Sequence, residues 1–221
     1  DPYMEVVVSE NAVNVAEDES SAKLAAGEKM RLIDLMYAAV LLSGNDAATA
    51  IAEGVSGSVD AFCQDMNQLA WALGCENTNF VNANGLTDPY HYSTARDLAT
   101  ITRVAMQNPT FRQIAGTTRY TLPKDNIYRS REIQTGVKFI LPSEKESGTY
   151  YEYSTGIKTG TTSAAGRCFV GSATKDGVTL IAVVLGCTTD KARYTDTIKL
   201  MEYGFTQYTS TSIAEIYAMN P

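Results

Sequence analysis

Gly156-Ile157-Lys158-Thr159-Gly160-Thr161-Thr162 places one cation, several hydroxyls and two glycines in a single short stretch. Two apolar runs follow, Gly166 to Thr174 and Val178 to Leu185, joined by Lys175-Asp176-Gly177. An Asp-Gly pair between apolar runs is a hairpin signal, so the two runs read as antiparallel strands. Lys-Thr-Gly then lies on or beside the first strand of a small sheet. Gly160 would allow a ligand or another backbone to approach where a side chain could not. Alone, the tripeptide also reads as a polar edge strand with a glycine bulge. Its company decides between the two.

The hairpin also bears on the cysteines. A two-residue turn at Asp176-Gly177 pairs Lys175 with Val178 and sets Cys168 opposite Leu185, one diagonal step from Cys187. Diagonal neighbours are too far apart for a relaxed disulfide. Cys63, Cys75, Cys168 and Cys187 are therefore expected to be free thiols. They show no Cys-x-x-Cys spacing, and His91 is the one histidine, so no metal site and no cofactor is expected.

The 221 residues can build one large domain or two small lobes, and 44% apolar with 19% charged residues suits a globular chain. A net charge of −7 without a basic run argues against nucleic acid as a partner. No apolar run approaches the ~20 residues of a membrane span. The chain opens at Asp1-Pro2-Tyr3 with neither an initiator Met nor a signal peptide, which reads as a mature or cut product.

Helices dominate residues 30–115. Met30 to Leu42 is apolar nearly all round, as in a buried helix. Ser43-Gly44-Asn45 interrupts it, and Asp46 to Ala52 begins a small-residue helix. Ser58 caps a third helix through Trp71, stopped by Gly74. Phe80 to Tyr92 reads as a structured loop, Thr94 with Asp97 as a capping box, and Asn108-Pro109 as another helix start. From 117 to 187 strands dominate, with Thr117–Leu122 and Arg129–Leu141 reading as strands and loops ahead of the hairpin. A last helix from about Tyr194 to Tyr203 offers Leu200, Met201 and Tyr203 to the sheet. Residues 1–28 read as an extended segment and a loose hairpin. The expected fold class is α+β: a helical lobe at about 30–115, an antiparallel sheet part at about 117–208, and a tail at 209–221.

Ser43-Gly44-Asn45 puts polar groups between two buried helices, where they must be internally bonded or face a cleft. Ser-x-Asn at a helix junction, followed by Lys-Thr-Gly on a strand, belongs to the motif set of penicillin-binding proteins and class A β-lactamases. Further segments extend the match: Gly27-Glu28-Lys29, Phe80-Val81-Asn82 with Gly85-Leu86, His91 to Leu98, Ala165-Gly166, Val183 to Gly186 and Tyr203-Gly204-Phe205. Over roughly residues 5–208 the chain resembles the D-alanyl-D-alanine carboxypeptidase family of low-molecular-weight penicillin-binding proteins. The resemblance implies a penicillin-binding/β-lactamase-like fold, here without its N-terminal part.

In that family a nucleophilic serine and its lysine form Ser-x-x-Lys at the start of a buried helix upstream of Ser-x-Asn. Ser20-Ser21-Ala22-Lys23 lies in a polar turn and Ser172-Ala173-Thr174-Lys175 at the hairpin turn, so both read as chance matches. The motif is expected before Asp1, and the chain alone is expected to be inactive. The resemblance implies that Ser43 relays a proton to the leaving D-alanine, that Asn45 holds the lysine or the substrate amide, and that Lys158 crowds and depresses that lysine's pKa. It places the Thr161 N–H in the oxyanion hole beside Gly160, and Thr159 and Arg193 on the substrate's terminal carboxylate. His91 reads as a loop brace.

Gly44 where class A β-lactamases carry Asp, and the absence of their Glu-x-x-Leu-Asn stretch, favour a carboxypeptidase. The implied partners are a peptidoglycan stem peptide ending in D-Ala-D-Ala and β-lactams in the full-length parent. The implied location is the bacterial cell envelope, with any membrane anchor beyond Pro221. The run 178–185 is expected to pair with an N-terminal fragment or a second copy. The alternatives are a non-catalytic module of the same fold that binds a peptide or protein, and another acyl-serine hydrolase such as a glutaminase or esterase.

Overall fold

A computed structural model describes residues 1–208. Strand β1 (Glu5–Val7) pairs antiparallel with β2 (Lys29–Arg31), Val6 opposite Met30. This corrects the expected helix start: Met30 and Arg31 finish a strand, because Met30 and Val6 bury their side chains together. Helix α1 (Leu32–Leu41) follows, then α2 (Asn45–Ser56) and α3 (Val59–Ala72). Ser58 caps α3 by accepting the Ala61 N–H, a bond of the kind worth about 1 kcal/mol.

Helix α4 (Ala95–Ala105) has Thr94 as its cap, accepting the Asp97 N–H. The expected capping box is only half built. The Asp97 carboxylate turns away and accepts from the Asn77 N–H and the Thr78 hydroxyl, pinning the start of the 77–92 loop. Asn108 caps α5 (Pro109–Ala115) through the N–H groups of Thr110 and Phe111. Strands β3 (Arg119–Leu122) and β4 (Arg131–Gln134) form a small antiparallel pair. Within the stretch 129–141, read as strands and loops, the strand ends at Gln134. Beyond it, Lys138–Ile140 and Pro142–Glu144 are 3₁₀ turns that tuck Phe139 and Ile140 into the core.

The main sheet has three antiparallel strands in the order β5 (Ser154–Thr162), β6 (Gly166–Lys175), β7 (Val178–Cys187). The expected hairpin register holds from Lys175–Val178 to Phe169–Val184. A bulge then shifts it, so that Arg167 faces Cys187. All four cysteines are free thiols. Helix α6 (Asp190–Gln207) covers one face of the sheet, and α4 packs on β7. Tyr194, Thr197 and Met201 are its buried contacts, whereas Leu200 and Tyr203 point outward. The expected sheet-facing set was therefore one helical step out of phase, except at Met201.

Two apolar clusters result. One joins α1, α2 and the N-terminal segment with Ile114, Leu122 and Ile133. The other joins Phe139, Tyr151 and Phe169 with Tyr194 and Met201. At their junction α5 lies against β5, where a Cβ on Gly156 (φ +131°) would sit 2.7 Å from the Ala115 carbonyl oxygen. No helix among the described residues is long and apolar enough to cross a membrane. The tail at 209–221 lies outside the described residues.

Candidate active site

Ser43 sits at the end of the helical lobe, between α1 and α2, with a left-handed backbone (φ +57°). That turn swings its hydroxyl out of the helix axis and toward the sheet. Lys158 reaches it from the middle of β5, and its Nζ donates to Ser43 Oγ at 2.8 Å and to the Thr159 carbonyl at 2.9 Å. The two residues are 115 positions apart and join the two clusters. Burial, and next the nearby Arg193 guanidinium, pull the Lys158 ammonium down from 10.5 to about 8.

Gly44 allows this junction to close. A Cβ there would meet Asp46 Oδ1 at 2.8 Å and Ala22 at 3.1 Å. Asp46 is buried and accepts from the Ser21 hydroxyl and from the N–H groups of Ala22, Leu24 and Ala47. The 20–24 segment is thereby clamped against the head of α2. Asn45 belongs to this clamp: its Nδ2 donates to Glu19 at 3.1 Å and its N–H to the Ser20 carbonyl. Its carboxamide is engaged there and makes no hydrogen bond to Ser43 or Lys158 among the described residues.

Alternation along β5 puts Lys158 and Gly160 on one face, and Thr159 and Thr161 on the face of α6. Space beside Gly160 is open, since a Cβ there would meet only Cys168 Cβ at 3.9 Å. Arg193, in the first turn of α6, is buried. Its Nη1 donates to Thr161 Oγ1 at 2.9 Å and to the Gly160 carbonyl at 3.3 Å. Its Nη2 is held by Asp190, and Lys138 Nζ lies 3.3 Å from the other Asp190 oxygen. The fork expected to be open to a ligand is thus occupied from within. Arg193 Nε is buried without a partner among the described residues.

Ser43 and Lys158 therefore meet, as do Gly160, Thr161 and Arg193, while Asn45 stands apart. Thr159 contributes its carbonyl to Lys158. His91 accepts the Val81 N–H at 3.2 Å and stacks edge-on with Phe80, bracing its loop; burial lowers its pKa. In neither chance motif does the lysine side chain hydrogen-bond a serine among the described residues; Lys23 reaches Ser21 Oγ only through its backbone N–H. Ser172 is fully buried and shares a hydrogen bond with Thr155, and Lys175 lies over the Tyr153 ring. Ser20 offers its carbonyl to Asn45, and Lys23 is exposed.

Residue-type reading missed Asp190, though its i,i+3 spacing to Arg193 in a helix was a usable signal. It also missed Thr87, whose hydroxyl donates to Thr162 at 2.9 Å and ties the 80–92 loop to the end of β5. No local pattern announces that contact.

A family model for D-alanyl-D-alanine carboxypeptidases matches residues 1–189. The chain belongs to the D-alanyl-D-alanine carboxypeptidase family. Among curated relatives, D-alanyl-D-alanine carboxypeptidase DacF of Bacillus subtilis is 34% identical over 203 residues, covering 92% of this chain and 49% of its own. The D-alanyl-D-alanine carboxypeptidase of Streptomyces sp. strain K15 is 37% identical over 200 residues, covering 86% and 66%. The crystal structure of the Streptomyces K15 DD-transpeptidase superposes with a TM-score of 0.84 at 33% identity, covering 93% of this chain and 80% of that one. The fold is thus the penicillin-binding fold, with antiparallel sheets and helices, and members of the family are serine-type hydrolases. The chain spans about half the length of DacF and two thirds of the K15 enzyme.

Proposed function

We propose that this chain forms the Ser-x-Asn and Lys-Thr-Gly side of the active site of a serine-type D-Ala-D-Ala carboxypeptidase, which removes the terminal D-alanine from peptidoglycan stem peptides. The observation that carries this reading is the 2.8 Å bond from Lys158 to Ser43. It joins a hydroxyl from the helical lobe to a cation on the sheet whose burial eases proton release.

The nucleophilic serine and its own lysine are supplied by residues outside this sequence. That serine attacks the carbonyl carbon of the penultimate D-alanine, and its proton passes to the lysine base. The developing oxyanion is held by the Thr161 N–H and that of the serine, a donor of the kind worth about 3 kcal/mol. As the C–N bond breaks, Ser43 gives its proton to the departing D-alanine nitrogen, and the neighbouring ammonium groups replace it. Water then cleaves the acyl-serine ester. Lys158 adds positive charge that favours the neutral, basic form of the missing lysine. Open space at Gly160 supports passage of the substrate backbone along β5, and Thr159 with Arg193 faces its terminal carboxylate. Asn45 holds the missing lysine or the substrate amide once released from Glu19.

Action on wall peptides implies a site outside the cytoplasm, and β-lactams are the expected acylating analogues for the full-length protein. A non-catalytic peptide-binding module is the second reading, favoured by the engagement of Asn45 with Glu19. Two assays test the proposal. The product of the complete open reading frame should release D-alanine from a diacetyl-Lys-D-Ala-D-Ala peptide and be labelled by a fluorescent penicillin. Lys158→Ala should slow release by roughly 10²-fold or more. Release that is indifferent to Lys158, or no release at all, would sink the enzymatic reading. The 221-residue chain alone should take no covalent label, and a band lost in Ser20→Ala would mean that Ser20 is a real nucleophile.

A further inference from the structure

A carboxylate already occupies the cation assigned to the substrate's carboxylate. Asp190 is the first residue of α6, and one of its oxygens holds Arg193 Nη2. Its side chain is 41% exposed while that of Arg193 is 8% exposed, so the acid has room to leave and the guanidinium does not. Its other oxygen lies 3.3 Å from Lys138 Nζ, itself 42% exposed. Asp190 therefore stands between two cations, one buried at the site and one at the rim.

We propose that Asp190 is a specificity-determining residue of the carboxylate subsite: an internal carboxylate that masks Arg193 and must be displaced toward Lys138 by the substrate's own terminal carboxylate. The inference rests on the reading of Arg193 given above. Three features of the pair support displacement over simple bracing. Thr161 and the Gly160 carbonyl already orient Arg193 through Nη1, so Asp190 is not needed to aim it. Arg193 Nε is left buried without a partner among the described residues, a donor that a bidentate carboxylate on Nε and Nη2 would satisfy. Lys138 stands ready for the acid once it lets go. Exchange of one carboxylate for another conserves the buried ion pair, so the site never exposes an uncompensated charge. A peptide ending in an amide gains nothing by the exchange and is refused.

The test is a titration of the purified product of the complete open reading frame, its nucleophilic serine replaced by alanine so that the peptide is not turned over, with diacetyl-Lys-D-Ala-D-Ala and with the same peptide carrying a C-terminal carboxamide, read by calorimetry or NMR at fixed ionic strength. Asp190→Asn should tighten binding of the carboxylate peptide by roughly three- to tenfold and leave the amide peptide unchanged. Lys138→Met, which removes the receiving cation, should weaken the carboxylate peptide by roughly two- to fivefold. A weaker affinity in Asp190→Asn would show that the acid braces Arg193, and an unchanged affinity that it does neither; both overturn the proposal. Binding abolished by Arg193→Gln yet indifferent to Asp190→Asn overturns the mask alone. Binding indifferent to Arg193→Gln, or no binding in any variant, overturns the carboxylate-site reading together with the mask.

Discussion

The helical lobe and the sheet both bury charge, but they spend it differently. In the helical region every fully buried acid is hydrogen-bonded. Asp46 accepts four hydrogen bonds, Asp34 takes Arg31 and the Tyr120 hydroxyl, and Asp97 takes a backbone N–H and a hydroxyl. Fully buried Glu28 is held by Arg131 and the Ala25 N–H, although desolvation still raises its pKa, and beside it Arg131 Nε and Asp125 Oδ2 have no hydrogen-bond partner among the described residues. Beside the sheet stand two cations, half-buried Lys158 on β5 and buried Arg193 on α6. Lys158 is pulled down to about 8, and Arg193 keeps one donor without a partner among the described residues. Saturated charges hold loops in place. Lys158 and Arg193 are held at the cleft by the surrounding fold, which leaves the site with binding capacity.

The contrast is broken most directly at Asp46. Asp46→Ala should cost about 3–5 kcal/mol by urea denaturation, since it strands several donors and frees the 20–24 segment. A loss below 1 kcal/mol would show that the lobe's acids are no more structural than the sheet's cations. Gly156→Ala tests the junction between the two regions. A Cβ there meets the Ala115 carbonyl and φ is +131°, so about 2–3 kcal/mol should be lost.

Lys158→Met should be nearly neutral, within about 1 kcal/mol, because a desolvated ammonium is replaced by an apolar chain of similar length. A loss as large as that at Asp46 would erase the distinction drawn here. The same pair of proteins sharpens it through pH. Between about 8 and 10.5 the unfolded chain holds the Lys158 proton and the folded one has released it. Stability of the wild type relative to Lys158→Met should therefore rise with pH across that window and be flat below it, where both states are charged. A difference that falls with pH would mean that the fold favours the ammonium.

The smallest effect concerns the edge of β7. Its outer side has no strand among the described residues, and Leu185 is 40% exposed. We predict that 178–185 pairs with a strand of another polypeptide, a second copy included, and light scattering on the purified chain should show concentration-dependent mass. Val183→Lys should reduce association while changing monomer stability little. A monomer at all concentrations would refute pairing between copies.

Local signals were legible wherever the chemistry is local. Ser58, Thr94 and Asn108 act as helix caps because a short oxygen-bearing side chain can reach only its own helix end. Asp176-Gly177 set the hairpin register from Lys175 back to Phe169. Ser-x-Asn and Lys-Thr-Gly located Ser43 and Lys158, which the fold brings to 2.8 Å. Reading failed where a competing partner is distant: Met30 joined a strand because Val6 lay opposite, and Leu200 and Tyr203 faced outward because Tyr194, Thr197 and Met201 set the phase of α6.

Residue order alone therefore determined the helix caps, the turn, the motif set and the family, since each depends on neighbours within a few positions or on a recognisable pattern. Tertiary structure alone decided what each charged or polar site residue is bonded to. Asn45 is turned to Glu19, Arg193 is paired with Asp190, and Lys158 is desolvated between the lobe and the sheet. Hydrogen bonds and burial are properties of the space around an atom, and that space is built by residues far along the chain.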